Sequence, residues 1–475
     1  MNISKRVPFI LASALFMQNL DATALATSLP KVAQSLNHPL LATHVLITSY
    51  MLSLALFLPL SGWVADKFGP RRVFCIAVAV FTLASFLCGI STSFTMLVAA
   101  RVLQGAGGAL MVPVARLLLV KVVPKHELVA AIALTGIPSI IGPILGPLVG
   151  GIIATYFSWR WIFFINIPFG LAAIYFIRII VPEIHEEGTT PKFDWLGFLL
   201  SSGGLTGTLF ALDSMAGGQD TSTSFFLLAA GLTSLGAYAW HALRTPYPLL
   251  NVRLLRLPTF RTNVVSGSLF RIGVGAYPFL MPLMLQAGFG YTPMQSGALT
   301  CLAALGSLGM RFLSTRVLAT LGYQTTLIWC GTIGGLFLMA NAFFTATTPP
   351  LLMALVILCG GLFRSLQFTV LNTIVFAETT SAEASHANTF SQMAQRISLT
   401  LGVTIGALVL HHFNTSTTGG ISPHAFTVSF LVVGTCMLFS VPPIYRLNPG
   451  STAQIDVTRQ RRAKPPVPVQ EEPGT

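Results

Sequence analysis

An all-α membrane protein of fourteen transmembrane helices, arranged six, two, six with both termini cytoplasmic, is the fold class this sequence predicts. Three observations predict it. Apolar residues make up 53% of the 475 positions and charged residues only 9%. A soluble domain is about 25% charged, so this chain cannot cover a water-facing surface. Apolar runs recur from Val7 onward, each of roughly 20 residues and long enough to cross a hydrocarbon core. The basic residues fall mostly on one side of these runs.

The predicted spans lie at 7–29, 43–65, 73–92, 95–120, 127–152, 160–182, 195–213, 223–243, 262–287, 294–317, 325–346, 349–375, 388–412 and 424–445. The first is followed by further spans and has no small-residue cleavage site, so it reads as a span and not a removable signal. Residues 1–182 are expected to form an N-terminal six-helix bundle, ending at the polar stretch Pro182 to Asp194 with Glu183, Glu186 and Glu187. Residues 183–261 form a linker that carries two extra spans, 195–213 and 223–243, and closes on the basic segment Arg244 to Arg261. A second bundle follows at 262–446. Residues 447–475, rich in Pro, Arg and Glu and without apolar periodicity, are expected to be a disordered cytoplasmic tail. Span 2 exits at GWVADKFGPRR (62–72) and span 10 at MRFLSTRVLATLGYQ (310–324), a weak internal echo of two related halves.

With the N-terminus inside, most of the 27 Lys and Arg residues face the cytoplasm, among them Lys5, Arg6, Lys67, Arg71, Arg72, Lys121 and Lys125. Lys31 and Arg160 face the other side. Such asymmetry over an even number of crossings places both termini in the cytoplasm. The net charge of +13 is thereby explained as topology, and no nucleic-acid partner is needed.

The chemistry of soluble enzymes is missing. Cys75, Cys88, Cys301, Cys330, Cys359 and Cys436 stand singly in apolar runs, with no metal-ligand spacing. The histidines are scattered, and His411-His412 reads as an interfacial pair at a span end. No Lys precedes Ser or Thr, so a Walker A phosphate loop is absent. No catalytic triad or metal cluster is apparent, and no cofactor is expected. These absences exclude an enzyme or an ATP-driven pump within this chain. Paired bundles around a midplane site are the plan of secondary transporters.

Several motifs then occur in order. They are Leu20-Asp21-Ala22-Thr23 with Ser28-Leu29-Pro30; Gly62 to Arg72 as GxxADxxGxRR; and Arg101 to Gly107 as RxxQGxG. Gly142, Gly146, Pro147, Gly150 and Gly151 follow, and then Trp159-Arg160-Trp161-Ile162-Phe163 with Asn166 and Pro168. From about Phe16 to Ser440 the chain resembles the major facilitator superfamily, specifically its fourteen-helix drug:proton antiporter branch of enterobacterial multidrug transporters. One departure is Ala26, where that branch usually has Asn. The resemblance implies a bacterial inner-membrane exporter that trades a small amphipathic compound or drug for a proton. It also implies that the fifth-span glycines restrict leak and bias toward antiport, which disfavours an uptake carrier. The partners expected are a small-molecule substrate, protons and the bilayer, with the chain working as a monomer.

The residues support a physical reading beside this one. Of the 14 acidic residues, Asp21 alone sits deep in a span. An ionised group at that depth costs roughly 2.5–3.5 kcal/mol on insertion scales, so it needs a partner, water or a proton. Asp21 and Arg101 lie at similar depth, given about 1.5 Å of rise per residue, so an ion pair is allowed. Such a carboxylate either couples protons, alternating between ionised and protonated as the pair is disturbed, or serves as a structural clamp. Gly62, Asp66, Gly69, Arg71 and Arg72 occupy a short cytoplasmic turn, as a gating latch or as topology-setting charge. Gly142, Gly146 and Gly150 form one small-residue stripe that permits close helix approach.

Candidate cavity residues are Gln18, Gln104, Arg271, Arg364, Gln367, Asn372, Asn388 and Gln392, with Gln395 and Arg396 on the face of Asn388. Polar groups at this depth should face the bundle interior. Arg116 and Arg311 can snorkel from span ends, but Arg271, Arg364 and Arg396 have no acidic partner in any span. Either backbone carbonyls satisfy them, or they favour an anionic substrate such as an organic acid or a metal–carboxylate chelate.

Overall fold

In hydrocarbon every backbone N–H and C=O must be satisfied within the protein, which leaves helices for runs of this kind. The computed structural model describes residues 3–124, 131, 134–135, 138–181, 193–216, 221–245, 248–379, 383–414 and 421–447, and its regular structure there is helical throughout. The expected tail beyond Leu447, the acidic stretch at 182–192 and the beginning of the fifth span lie outside the described residues.

The first half runs α1 (Ile3–Ala24), a 3₁₀ turn, α2 (Leu29–Ser35), α3 (His44–Phe57), α4 (Leu60–Phe68), α5 (Pro70–Gly89) and α6 (Phe94–Val122). It continues through α7 (Pro138–Tyr156), α8 (Trp161–Phe164) and α9 (Asn166–Ile180). A hairpin of α10 (Trp195–Ala216) and α11 (Thr221–Arg244) follows. The second half holds α12 (Pro258–Leu283), α13 (Pro293–Leu321), α14 (Tyr323–Ala340), α15 (Pro350–Ile374), α16 (Ala384–His412), α17 (Pro423–Leu438) and α18 (Pro442–Tyr445). The axes of α3 and α4 differ by 55°, with Pro59 at the break, where proline removes a backbone donor.

Among the described residues, 11 helices are long and apolar enough to span a membrane, or 12 with the bent α3–α4 pair as one span. Two of the expected spans fall outside that test. The span at 127–152 is described as α7 only from Pro138, and that at 294–317 is described as the helix α13.

The two halves meet along two seams, α7 against α13 and α3 against α16. The α10–α11 hairpin packs through α10 on α16. There Leu205, Tyr238, Leu250 and Met393 form a buried cluster with Leu52 and Leu56 of α3 against it. Trp63 of α4 stands 5.9 Å from Trp195 of α10, edge to face. The hairpin therefore touches both halves beside the same seam. Gly69, between α4 and α5, takes φ of +83°, and Gly322, between α13 and α14, takes +75°. Both are left-handed positions that favour glycine, and they fall at corresponding places in the two echoed segments.

The other seam depends on missing side chains. A Cβ on Gly150 would stand 2.2 Å from the Ala24 carbonyl oxygen, and one on Gly297 would stand 2.2 Å from that of Pro147. Backbone cannot yield as a side-chain tip can. Gly150→Ala is therefore expected to lower the apparent thermal midpoint of the purified protein by several degrees. Gly236→Ala, where nothing lies within 4 Å, is expected to leave it within about a degree. Equal midpoints for the two variants would contradict this packing.

Candidate functional site

Near its C-terminal end, α1 carries Asp21 into a fully enclosed polar cluster. Arg101 and Gln104, three residues apart on α6, share one face and both reach it. The Asp21 Oδ2 is 2.6 Å from Arg101 Nη1. Its Oδ1 accepts from Gln104 Nε2 at 3.0 Å and from Asn166 Nδ2 at 2.9 Å. Gln104 also donates to the Ser85 hydroxyl at 2.8 Å, and Asn166 to the same oxygen at 3.3 Å. Arg101 donates through Nε to the Leu46 carbonyl at 3.1 Å and through Nη1 to Gln104 Oε1 at 2.6 Å. Its guanidinium carbon lies 4.2 Å from the centre of the Tyr50 ring.

Asp21 and Arg101 are each 1% exposed. Removing one partner of such a pair costs about 3–5 kcal/mol, because it strands the other charge. The cluster ties α1, α3, α5, α6 and α9 together, so it braces the first half whatever else it does. The expected ion pair is present, and its surroundings hold more than the sequence disclosed. Asn166 was visible only as part of a motif, although an amide in an apolar run, beside Pro168, is itself a signal. Ser85 and Tyr50 carry no such mark.

The remaining candidates are placed as follows. Gly62 has open space around it, and Asp66 and Arg72 are exposed. Arg71 donates to the Arg178 carbonyl near the end of α9, a bond within the first half. Cations are favoured at a helix C-terminus. Gly142, Gly146 and Gly150 all press on α1, at Asn19, Thr23 and Ala24, while Gly151 presses on Pro293 of α13. The fifth-span motif is therefore packed on the helix that carries Asp21.

A cavity of about 380 Å³ lies between the halves, against the α7–α13 seam, and is lined among others by Thr23, Thr27, Pro147, Tyr277, Arg364 and Phe368. Of the eight predicted cavity residues, Arg364 is in its wall. Its guanidinium carbon sits 4.1 Å from the Tyr277 ring centre. Gln104 belongs to the Asp21 cluster instead, and Gln18 donates to the Gly108 carbonyl at 3.1 Å. Arg271 donates through Nη2 to Asn372 Oδ1 at 3.2 Å and through Nη1 to the Asn263 carbonyl at 3.4 Å, so amide and carbonyl oxygens partner it in place of an acid, while its buried Nε has no partner among the described residues. Gln367 donates to Ser440 Oγ at 3.4 Å. Asn388 and Gln392 are half-buried on α16, away from this wall. Beyond the cavity the halves are joined by Gln286 Nε2 to the Thr27 carbonyl at 2.8 Å, and by the Met294 amide to Thr155 Oγ1 at 3.0 Å. Among the described residues the wall contains no carboxylate.

Comparison with known proteins gives a consistent picture. The family model of the Major Facilitator Superfamily matches residues 11–403 and 264–470. MdtD of Salmonella typhi, named for multidrug resistance, is 36% identical over 461 residues, covering 96% of this chain and 97% of that one. MdtD of Salmonella typhimurium matches at the same identity and coverage. Among solved structures, the nucleoside transporter NupG superposes with a TM-score of 0.65 at 12% identity, over 94% of this chain and 99% of that one. The xylose transporter XylE from E. coli, in a partially occluded inward-open conformation, gives 0.63 at 12% identity, over 94% and 98%. At such identity these structures speak for the fold alone.

Asn166→Leu is expected to destabilise the protein by about 1–3 kcal/mol, since Asp21 Oδ1 and Ser85 both lose a donor without access to water. Gly62→Ala, which meets nothing within 4 Å, serves as the neutral control in the same thermal measurement. An unchanged midpoint for Asn166→Leu would show that the amide is not needed to hold the carboxylate.

Proposed function

The chain belongs to the Major Facilitator Superfamily, and from that membership we propose that it is a proton-coupled antiporter exporting small amphipathic compounds. It is a secondary transporter, a multi-pass membrane protein and not an enzyme. As in its bacterial relatives, its place is the inner membrane. The drug class rests on the multidrug resistance for which those relatives are named. The same reading includes fourteen spans, cytoplasmic termini and a working monomer.

The observation that carries proton coupling is the Asp21–Arg101 pair at 2.6 Å, with Asp21 the solitary deep acid of the sequence. Neither charge is tolerable alone at that depth, so parting Asp21 from Arg101 strands a carboxylate that water or a proton has to compensate. In the state described the pair is closed off from the cavity, whose wall α1 reaches at Thr23 and the 3₁₀ turn after it reaches at Ala26 and Thr27. The proton step therefore belongs to a different packing of α1, one in which water reaches Asp21. The glycine stripe of α7 grips α1 on both sides of that level, so movement of α7 against α13 is transmitted to the acid. With one deep carboxylate, one proton moves per cycle, and a monovalent cation would exchange without net charge.

A second reading concerns substrate charge. Arg364 is 9% exposed and stands at a cavity wall that holds no carboxylate among the described residues. A buried cation in that setting favours a carboxylate-bearing substrate over a lipophilic cation. An organic anion or a metal–carboxylate chelate is then the cargo.

Everted membrane vesicles test both readings. Asp21→Asn is expected to insert normally yet lose substrate-dependent proton movement, and full pH-driven transport by that variant would remove the carboxylate from the mechanism. Arg101→Lys is expected to rescue poorly, since lysine lacks the planar guanidinium fork. For the cargo, Arg364→Gln is expected to reduce export of an aryl carboxylate at least tenfold while sparing its neutral amide. Efficient export of a matched lipophilic cation, with carboxylate export unchanged in Arg364→Gln, would favour the drug-cation reading.

A further inference from the structure

We infer that Arg271 and Arg364 form a two-point site, and that the cargo it takes carries two acidic groups. This rests on the carboxylate reading of the cavity and adds a second charge to it. Arg364, Phe368 and Asn372 follow one another at four-residue spacing on α15 and so share one face. Arg271 and Tyr277 lie on α12, which packs against that helix. Each arginine faces an aromatic ring of the other helix. The Arg364 guanidinium carbon is 4.1 Å from the Tyr277 ring centre, and that of Arg271 is 5.8 Å from the Phe368 ring centre. Tyr277, Arg364 and Phe368 all line the cavity. Arg271 therefore meets the same face of α15 that presents Arg364, beside a residue of the wall.

Nothing in the second half neutralises Arg271, which is 0% exposed. From residue 262 to 446 the acidic residues are Glu378 and Glu383, both beyond the end of α15. Glu378 is already engaged at the start of α12, where it accepts from the Thr259 amide at 2.9 Å and from its hydroxyl at 2.7 Å. The bonds Arg271 does make, 3.2 Å to Asn372 Oδ1 and 3.4 Å to the Asn263 carbonyl, are long. A guanidinium paired with a carboxylate sits at about 2.7–2.9 Å. Its Nε has no partner among the described residues. A buried donor is costly to leave unpaired, and more so when it carries an uncompensated charge. The guanidinium rests in space that Gly267 leaves, with Nη1 2.7 Å from where a Cβ would stand.

Counting charge gives the cargo. Two guanidiniums bring two positive charges to this contact of α12 and α15, and the wall beside them holds no carboxylate among the described residues. One acid group on Arg364 leaves Arg271 as it was. A second, reaching past the Phe368 ring, gives the orphaned Nε and its charge a partner. A guanidinium takes a carboxylate through two parallel N–H bonds, so each end of such a cargo is held by geometry as well as by charge. Tyr277, on which Arg364 stacks, is about 9 Å from Arg271 along α12 at roughly 1.5 Å per residue. The two acid groups therefore belong at opposite ends of a small molecule, not on one carbon.

Isothermal titration of the full chain in lipid nanodiscs tests this with three probes of one shape: benzene-1,4-dicarboxylate, its half-amide and its diamide. The starting protein is expected to bind the diacid roughly tenfold more tightly than the half-amide, and the half-amide more tightly than the diamide. Arg271→Gln is expected to bring the diacid to within about twofold of the half-amide while leaving half-amide binding unchanged. Arg271→Lys keeps the charge without the planar fork and is expected to retain part of the preference. Because the buried charge is unpaired, its removal in Arg271→Gln is expected not to lower the thermal midpoint. Equal affinities for diacid and half-amide, both above the diamide, would overturn the inference and leave the carboxylate reading standing. So would an Arg271→Gln variant with a lowered midpoint that weakens both acids alike, the mark of a structural arginine. No preference for either acid over the diamide would strike the carboxylate reading itself, and this inference with it.

Discussion

A carboxylate and a guanidinium 2.6 Å apart, sealed from water on every side, set the terms for the first half of this protein. Neither charge is tolerable alone at that depth. Each additional partner, from Gln104, Asn166 and Ser85 to the Leu46 carbonyl, is drawn from a different helix or turn to satisfy what remains. Five helices are thereby fixed in register by one polar knot. A knot of this kind contributes little net stability while whole, but it makes the arrangement of these helices depend on a single titratable group.

The glycine stripe of α7 is the mechanical complement of that knot. Lipid tails offer no hydrophobic drive for helices to associate, so close backbone approach has to supply the contact. Gly142, Gly146 and Gly150 let α7 lie almost backbone to backbone on α1, and Gly151 with Gly297 does the same for α7 on α13. One helix is consequently clamped between the acid-bearing helix and the opposite half. The cavity lies against this seam, while the α10–α11 hairpin flanks the other one, so the two sides of the interface are not equivalent.

Much of this was legible in the sequence because membrane chemistry leaves few choices. Helical spans follow from apolar length, and a solitary deep acid must find a cation at its own level, which Arg101 provides. The cavity was less legible for a physical reason. Depth in a span predicts that a polar residue faces the interior, but not whether it faces a void or a neighbouring oxygen. Arg271, Gln367 and Gln18 found amide, hydroxyl and carbonyl partners within the protein, and Arg364 faces the void. The rest of the wall is mostly Thr, Ser, Pro and Ala, with Val274, Tyr277, Leu308 and Phe368, residues that carry no distinguishing signature in an apolar run. Tyr50 was hidden for the same reason, since a single aromatic in an apolar run looks like any other core residue.

The central claim is that Asp21 exchanges a proton during the working cycle and is not merely a brace. Infrared difference spectroscopy on the purified protein in lipid, titrated across the pH range in which it transports, observes that carboxyl directly. The account predicts that a protonated carboxylic acid band appears as pH falls and is missing from Asp21→Asn, while Asn166→Leu shifts the pH at which it appears. A spectrum in which no band depends on Asp21 anywhere in the transporting range would show that the carboxylate stays ionised, and would leave the pair as structure alone.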